Sequence, residues 1–182
     1  MKYESVDVRP LALTNFSLIS SQFLISEIAS CTSALCDTTL STGTVCTRPQ
    51  LTKAFSPTTA SVGSGSTVVF TITNGTDSPK QDGIAFTDTL PTNLIVSNSP
   101  NIQTNCPAGG ALGSASFTVS AAVGSSAISV KGASINSGVG SCQLQVNVTS
   151  ATPGDYTNTS ASMSGMANID NAVTASTLTL QP

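Results

Sequence analysis

The clearest pattern of hydrophobic and polar positions lies in residues 141–149, where the two kinds of residue alternate strictly. Cys142, Leu144, Val146 and Val148 share one parity, and polar residues occupy the other. Side chains of a β-strand point alternately to its two faces, so these four share a face. The pattern predicts a strand with one buried face and directs the thiol of Cys142 into a core.

Short segments of this kind recur from residue 51 onward, separated by residues that favour turns. In residues 65–73, for example, Val68, Phe70 and Ile72 are predicted to face inward. We predict nine strands, at residues 51–55, 65–73, 84–90, 93–98, 114–120, 127–131, 141–149, 156–163 and 173–180. No segment shows helical periodicity. Many short strands at regular spacing are typical of an all-β sandwich or barrel, and we predict a sandwich.

The last predicted strand changes phase. Val173 and Ala175 are apolar at odd positions, whereas Leu178 and Leu180 are apolar at even ones. A slip of one residue moves every side chain to the other face of a strand. We therefore predict either a β-bulge near Ser176 or a passage of the chain from one sheet to another.

Composition narrows the class of protein. The chain has 182 residues, which suits one domain with an additional segment. Only 8% of residues are charged, the net charge is −3, and Lys and Arg are not clustered, so we expect no nucleic-acid partner. No apolar run reaches the length of about 18 residues that a membrane span needs. We expect an exported protein, extracellular or at the cell surface, whose leader has been removed.

Five cysteines bear on the chemistry and the compartment. Neither a C-x-x-C pair nor a histidine is present, which disfavours a zinc site and a catalytic thiol. Disulfides are the better interpretation, and they indicate an oxidising compartment. The odd count leaves one thiol free or paired between chains. The five are Cys31, Cys36, Cys46, Cys106 and Cys142.

Four segments carry a resemblance to a known family. They are LTKAFSP at 51–57, VVFTITN at 68–74, FTDTLP at 86–91, and the stretch from Cys142 to DYTNT at 155–159. Together they resemble the bacterial conserved surface-repeat domain, whose hallmark is a D-T-L-P motif, over roughly residues 51–182. The resemblance implies an Ig-like Greek-key β-sandwich in a bacterial surface protein. It also implies a disulfide between Cys106 and Cys142.

Tyr156 follows Pro153, Gly154 and Asp155. This arrangement resembles the tyrosine corner of Greek-key sandwiches, in which the hydroxyl bonds to nearby backbone. We predict that structural role for Tyr156.

Acidic residues give little sign of catalysis or of a metal. Asp88 has no second carboxylate or histidine near it in sequence, so we expect its oxygens to accept backbone N–H bonds in the turn before Pro91. Asp77 and Asp82 lack the spacing of a calcium loop and are interpreted as solvated turn residues. We predict no catalytic residue, no metal and no cofactor.

Lys53 allows two interpretations. Ig-like surface domains sometimes form a Lys–Asn isopeptide bond with an acidic helper, and Asn171 and Asp88 could supply the other groups. The ordinary alternative is a lysine at a sheet edge whose ammonium reaches solvent.

Four asparagines lie in N-x-S/T sequences that can accept a glycan. They are Asn15, Asn74, Asn147 and Asn158. Asn147 has the outward parity of its predicted strand. Such sequences also arise by chance in a chain rich in Asn, Ser and Thr, so both glycosylated and unmodified states stay open.

Residues 1–50 form a separate arm before the domain at 51–182. The arm has strand-like pieces but too few to enclose a second core. We expect it either to pack on its own domain or to add a strand to the sheet edge of a neighbouring copy. A head-to-tail contact of the second kind produces a filament.

These features favour a non-enzymatic, self-assembling extracellular subunit, which forms a filament or a surface layer with copies of itself. Cys31, Cys36 and Cys46 would then staple the arm within or between chains. The alternative is a monomeric Ig-like adhesion or spacer module that binds a surface or glycan ligand through its loops. An enzyme is disfavoured because no acid–base pair or activated nucleophile is visible.

Overall fold

The computed structural model describes residues 47–75 and 78–182. These residues form thirteen strands and one short 3-10 helix, at Ser160–Ser162. The strands are β1 (Gln50–Ser56), β2 (Thr59–Ser61), β3 (Ser66–Thr73), β4 (Gln81–Thr89), β5 (Ile95–Val96), β6 (Gln103–Thr104), β7 (Thr118–Ser120), β8 (Ala127–Ile135), β9 (Ser141–Thr149), β10 (Gly154–Asn158), β11 (Met163–Ala167), β12 (Asp170–Asn171) and β13 (Ser176–Gln181).

The strands belong to three sheets around one core. A six-stranded sheet has the order β12-β1-β3-β9-β5, with β6 also paired to β9. A four-stranded sheet has the order β11-β4-β8-β7, and a three-stranded sheet has the order β10-β13-β2. The pairs β1–β12 and β2–β13 are parallel, and the other pairs are antiparallel. The predicted all-β sandwich is confirmed.

The alternation of residues explains how the sheets meet. In β3 and β9, Phe70 pairs with Leu144 and Ile72 pairs with Cys142, and all four side chains are buried. The ring of Phe70 lies 5.2 Å, between centroids, from that of Phe86 in the four-stranded sheet. Burying each large apolar side chain contributes about 1.5–3 kcal/mol, so the inward faces hold the sheets together. The inward parity predicted for residues 65–73 and 141–149 is confirmed.

The chain passes between sheets near its end, as one of the two predicted alternatives requires. β12 pairs with β1 in the six-stranded sheet, whereas β13 pairs with β10 and β2 in the three-stranded sheet. Leu178 and Leu180 in β13 are buried. The change of phase near Ser176 therefore marks the passage between sheets.

The prediction of a single strand at residues 156–163 is wrong. β10 ends at Asn158, and β11 begins at Met163 in a different sheet. Between them the side chain of Thr159 accepts a hydrogen bond from the backbone N–H of Ala161 and caps the 3-10 helix. A short Thr/Ser side chain can bond to nearby backbone in this way, which competes with a continuous strand.

A disulfide joins Cys106, which follows β6, to Cys142 in β9, with their Cα atoms 5.1 Å apart. It fastens the loop after β6 to a central strand of the six-stranded sheet. Cys31, Cys36 and Cys46 lie outside the described residues, as does the arm up to residue 46.

Candidate functional site

Three of the buried polar side chains at inward positions of the sandwich form one group. Lys53 lies between Leu51 and Phe55 on the buried face of β1. Asp88 follows Phe86 at the same parity in β4 and has an exposed fraction of 0%. Hydrophobic residues normally fill such positions, because a buried polar group loses its hydration and needs partners within the protein.

Asn158 is the third member and shares the inward parity of Tyr156 in β10. Its exposed fraction is 2%. The three residues therefore come from three strands in three different sheets and meet where those sheets converge. We call Lys53, Asp88 and Asn158 the buried triad.

One carboxylate connects the buried triad. Lys53 Nζ donates to Asp88 Oδ1 at 2.6 Å, and Asn158 Nδ2 donates to Asp88 Oδ2 at 2.8 Å. Ser162 Oγ, in the 3-10 helix, accepts from Lys53 Nζ at 2.7 Å and lies 2.7 Å from Asp88 Oδ1. It also lies 2.7 Å from the carbonyl of Thr159, and its single proton serves one of these two acceptors at a time.

The electrostatics of the site are those of an ion pair shielded from bulk solvent. Burial lowers the pKa of Lys53 below its ordinary value, and the hydrogen bond and charge of Asp88 partly oppose that shift. Such a pair is costly to desolvate, and removing one partner leaves an uncompensated charge in the core. Burial therefore favours the neutral amine of Lys53 more than an exposed position would.

One polar atom of the buried triad is not satisfied. Asn158 Oδ1 is buried and has no hydrogen-bond partner among the described residues. Buried side-chain oxygens usually accept at least one hydrogen bond, so an orphan beside an ion pair requires an explanation.

Several sequence predictions for these residues are wrong. Asp88 accepts bonds from side chains and not from the backbone of the turn before Pro91, because its parity turns it into the core. Lys53 is buried and does not reach solvent. Asn171 is exposed and donates to the carbonyl of Ser160, so it is not the asparagine beside the ion pair. The parity of Lys53 and Asp88 in their strands indicates inward positions, as the parity of Cys142 does.

Tyr156 makes the predicted corner. Its hydroxyl lies 2.6 Å from the carbonyl of Thr152, to which it donates, and 2.8 Å from Ser150 Oγ. The prediction is confirmed, and these bonds hold the turn before β10, on which Asn158 depends for its position.

The described asparagines of the candidate glycan sites differ in access. Asn158 is buried, so the folded domain has no room for a glycan there. The amide nitrogen of Asn74 donates to two backbone carbonyls, at 2.8 and 3.0 Å. That of Asn147 donates to one, at 3.2 Å, on a half-buried side chain. Asn15 lies outside the described residues.

Metal ligands are not grouped in the described part of the chain, within which no cluster of three or more His, Cys, Asp or Glu occurs. Asp82 is exposed and pairs with Lys80 at 2.7 Å, and Asp77 lies outside the described residues. Within the same ranges no helix has the length and hydropathy of a membrane span.

A shallow depression crosses the outer face of β1, β3 and β9. Its side chains at outward positions are uncharged and mostly polar, and include Thr52, Thr71, Gln143 and Gln145. Gln143 Nε2 reaches Thr71 Oγ1 at 3.5 Å across the two strands. This face offers amide and hydroxyl groups to a ligand, and its charged neighbour Lys53 directs its ammonium to the opposite side of the sheet.

Comparison with solved structures gives low-identity similarities. A non-cellulosomal cohesin from the archaeon Archaeoglobus fulgidus has a TM-score of 0.48 and 16% identity, covering 75% of this chain and 93% of that chain. The seventh ScaB type I cohesin from Pseudobacteroides cellulosolvens has a TM-score of 0.43 and 15% identity, covering 72% and 92%. BslA, a bacterial hydrophobin, has a TM-score of 0.39 and 18% identity, covering 74% and 95%.

No curated protein matches the chain. A family model, in contrast, matches residues 49–180, which is well over half of the sequence. That range includes every member of the buried triad and both cysteines of the disulfide. The chain therefore belongs to the family described as Domain of unknown function (DUF7933).

Proposed function

We propose that the protein is a non-enzymatic extracellular structural subunit that polymerises into a filament or surface layer. Residues 1–50 would act as a donor arm and add a strand to the sandwich of a neighbouring copy. Each subunit then uses its arm on one neighbour and its sheet edge on another, so the contact is heterologous and need not close.

The observation that carries the proposal is an open sheet edge at β10. Among the described residues, β10 pairs only with β13, over five consecutive residue pairs from Gly154–Leu180 to Asn158–Ser176. Its other side presents N–H and C=O groups to which an extended segment could bind. The outer strand β11 is a poorer acceptor, since its register shifts between Ser164 and Ala167 and a bulge bends the edge.

Other features fit the same role. The low charge of the chain suits close packing between copies, because like charges across an interface are destabilising. The Cys106–Cys142 disulfide is of the kind that persists in oxidising compartments. Three further cysteines in the arm could fasten it after assembly.

The test compares the full chain with a variant that lacks residues 1–30, without reductant, by size-exclusion chromatography and electron microscopy. We expect filaments or large oligomers from the full chain and a folded monomer from the truncated chain. Hydrogen exchange should show added protection in β10 only in the assembled sample, with β11 as the internal control. Filament growth by the truncated chain would contradict the proposal.

A second candidate function is a monomeric adhesion or spacer module. The uncharged depression on β1, β3 and β9 favours it, because hydroxyl and amide groups on a flat sheet suit a neutral ligand such as a glycan. A full chain that stays monomeric at high concentration would support this alternative. Replacing Gln143 and Gln145 by alanine should then abolish the binding of a glycan that the wild-type protein binds on a glycan array, and should leave the fold intact.

A further inference from the structure

We propose that Lys53 and Asn158 become joined by an intramolecular isopeptide bond, with Asp88 as the group that relays protons between them. The product is an amide between Lys53 Nζ and Asn158 Cγ. It would add a second covalent link to the domain, independent of the disulfide. It does not require assembly, so its test and that of the proposed function can fail separately.

The geometry brings the reacting groups to one carboxylate. Lys53 Nζ bonds to Oδ1 of Asp88 at 2.6 Å, and the amide of Asn158 bonds to Oδ2 of the same residue at 2.8 Å. Amine and amide are therefore both held by the two oxygens of one rigid planar group. Fixing two reactants in this way replaces a bimolecular encounter by an intramolecular step, which lowers the entropic part of the barrier.

Atoms and charge balance without any co-reactant. The ammonium of Lys53 first gives a proton to Asp88, and the neutral amine attacks Asn158 Cγ. The Nζ–Cγ bond forms, the Cγ–Nδ2 bond breaks, and Nδ2 leaves as ammonia. Asp88 passes the protons from the attacking nitrogen to the leaving nitrogen, so that an ammonium and a primary amide become a secondary amide and an ammonium ion.

The unsatisfied oxygen of Asn158 has a place in this sequence. While Asp88 is ionised, it accepts from Nδ2, and Oδ1 has no partner among the described residues. Once Asp88 carries the proton, a half-turn of the amide about its last torsion lets the acid donate to Oδ1. That hydrogen bond polarises the carbonyl and stabilises the negative charge that develops on its oxygen during attack. The reverse turn in the tetrahedral intermediate brings Nδ2 back to Asp88, which then gives it the proton it needs to leave.

The surroundings favour the neutral amine that the reaction needs. The side chains of Lys53 and Asp88 are 2% and 0% exposed, so water does not solvate either charge. Burial lowers the pKa of Lys53, which increases the fraction of amine able to act as nucleophile. Ser162 Oγ, within 2.7 Å of both groups, orients the amine toward the site. The same exclusion of bulk solvent would protect the product amide from hydrolysis.

The bond would tie the first described strand to a strand near the end of the domain. β1 belongs to the six-stranded sheet and β10 to the three-stranded sheet, so the link would fasten one to the other. Tension applied between residues 50 and 182 would pass through the link and bypass the chain between Lys53 and Asn158. The disulfide lies inside that bypassed part.

The experiment is intact mass spectrometry of the full chain after folding, in denaturant and reductant. We expect a mass lower than the sequence mass by one ammonia molecule, and a peptide pair joined from Lys53 to Asn158 after proteolysis. Asn171→Ala should keep the loss of ammonia, and Asn158→Ala should abolish it. The sequence mass for the folded wild-type protein, unchanged after long incubation, would overturn the proposal whatever the variants do.

Two further variants separate the bond from other causes. Lys53→Arg keeps the positive charge beside Asp88 but has no amine that can form the amide, so it should retain the full mass. Asp88→Asn should do the same, because the proton relay is lost. A loss of ammonia that persists in Lys53→Arg would come from cyclisation of an asparagine on its own backbone and would refute the assignment. Lys80→Arg, at an exposed ion pair, is the matched control.

Discussion

Removing the Cys106–Cys142 disulfide should destabilise the domain by about 4–5 kcal/mol. The two cysteines are 36 residues apart in sequence. For a loop of that length, the loss of unfolded-chain entropy amounts to about 3.8 kcal/mol at room temperature. Both cysteines are buried, so the Cys106→Ala/Cys142→Ala variant also loses about 1 kcal/mol of packing.

The assay is urea denaturation followed by circular dichroism. Cys31, Cys36 and Cys46 should first be changed to serine, so that thiol exchange with the arm does not disturb the comparison. With a slope of about 2 kcal/mol per molar urea, the midpoint should fall by about 2 M. The slope itself should rise, because the unfolded chain without the link exposes more surface.

Reduction of the same serine-substituted background offers a second measurement on an identical sequence. It should reproduce most of the fall in midpoint while both side chains stay in place. A difference in unfolding free energy below about 1 kcal/mol, in both the double variant and the reduced protein, would refute this reasoning. It would mean that the loop after β6 is already restricted in the unfolded state.

The remaining predictions concern the buried triad and its support. Asp88→Ala should lower the unfolding free energy by about 3–5 kcal/mol, because Lys53 is left buried without its counter-charge, whereas Ser162→Ala should lower it by about 1 kcal/mol. Tyr156→Phe should lower it by about 1–2 kcal/mol in thermal or urea unfolding, and an unchanged midpoint would contradict the corner. In Asn158→Ala the amine of Lys53 is free, and its pKa in the folded state lies below the ordinary 10.5. The folded state of this variant then binds the Lys53 proton less tightly than the unfolded state does, so its unfolding free energy should rise with pH up to about 10.5. The control is the same variant with Lys53→Met, which has no proton to lose at this position. An unfolding free energy whose pH profile is flat and equal to that of the control would contradict the prediction.

The described part of the fold follows from local patterns where a strand has one buried face and one exposed face. β9 coincides with the predicted segment because four inward residues alternate with polar ones. The local pattern is misleading at residues 156–163, where Thr159 caps a 3-10 helix and the chain leaves one sheet for another. A capping bond of this kind depends on a single side chain and leaves no periodic signal.

The buried triad is the second feature that was not predicted from the sequence. Lys53, Asp88 and Asn158 all stand at positions whose parity predicts burial, yet their polarity argued for surface roles. Parity was the stronger signal, because a strand paired to a neighbour in register cannot turn one side chain to the other face. The parity of each of the three residues corresponds to its place in the core.

The sequence by itself determined the class of fold, the inward direction of Cys142 and the change of phase near Ser176, because each depends on the two-residue repeat of a strand. Only the tertiary structure decided which polar residues meet. Lys53 and Asp88 lie on strands of different sheets, and Asn158, not Asn171, completes the group. Distances between strands of separate sheets depend on how the layers pack, and no local repeat records them.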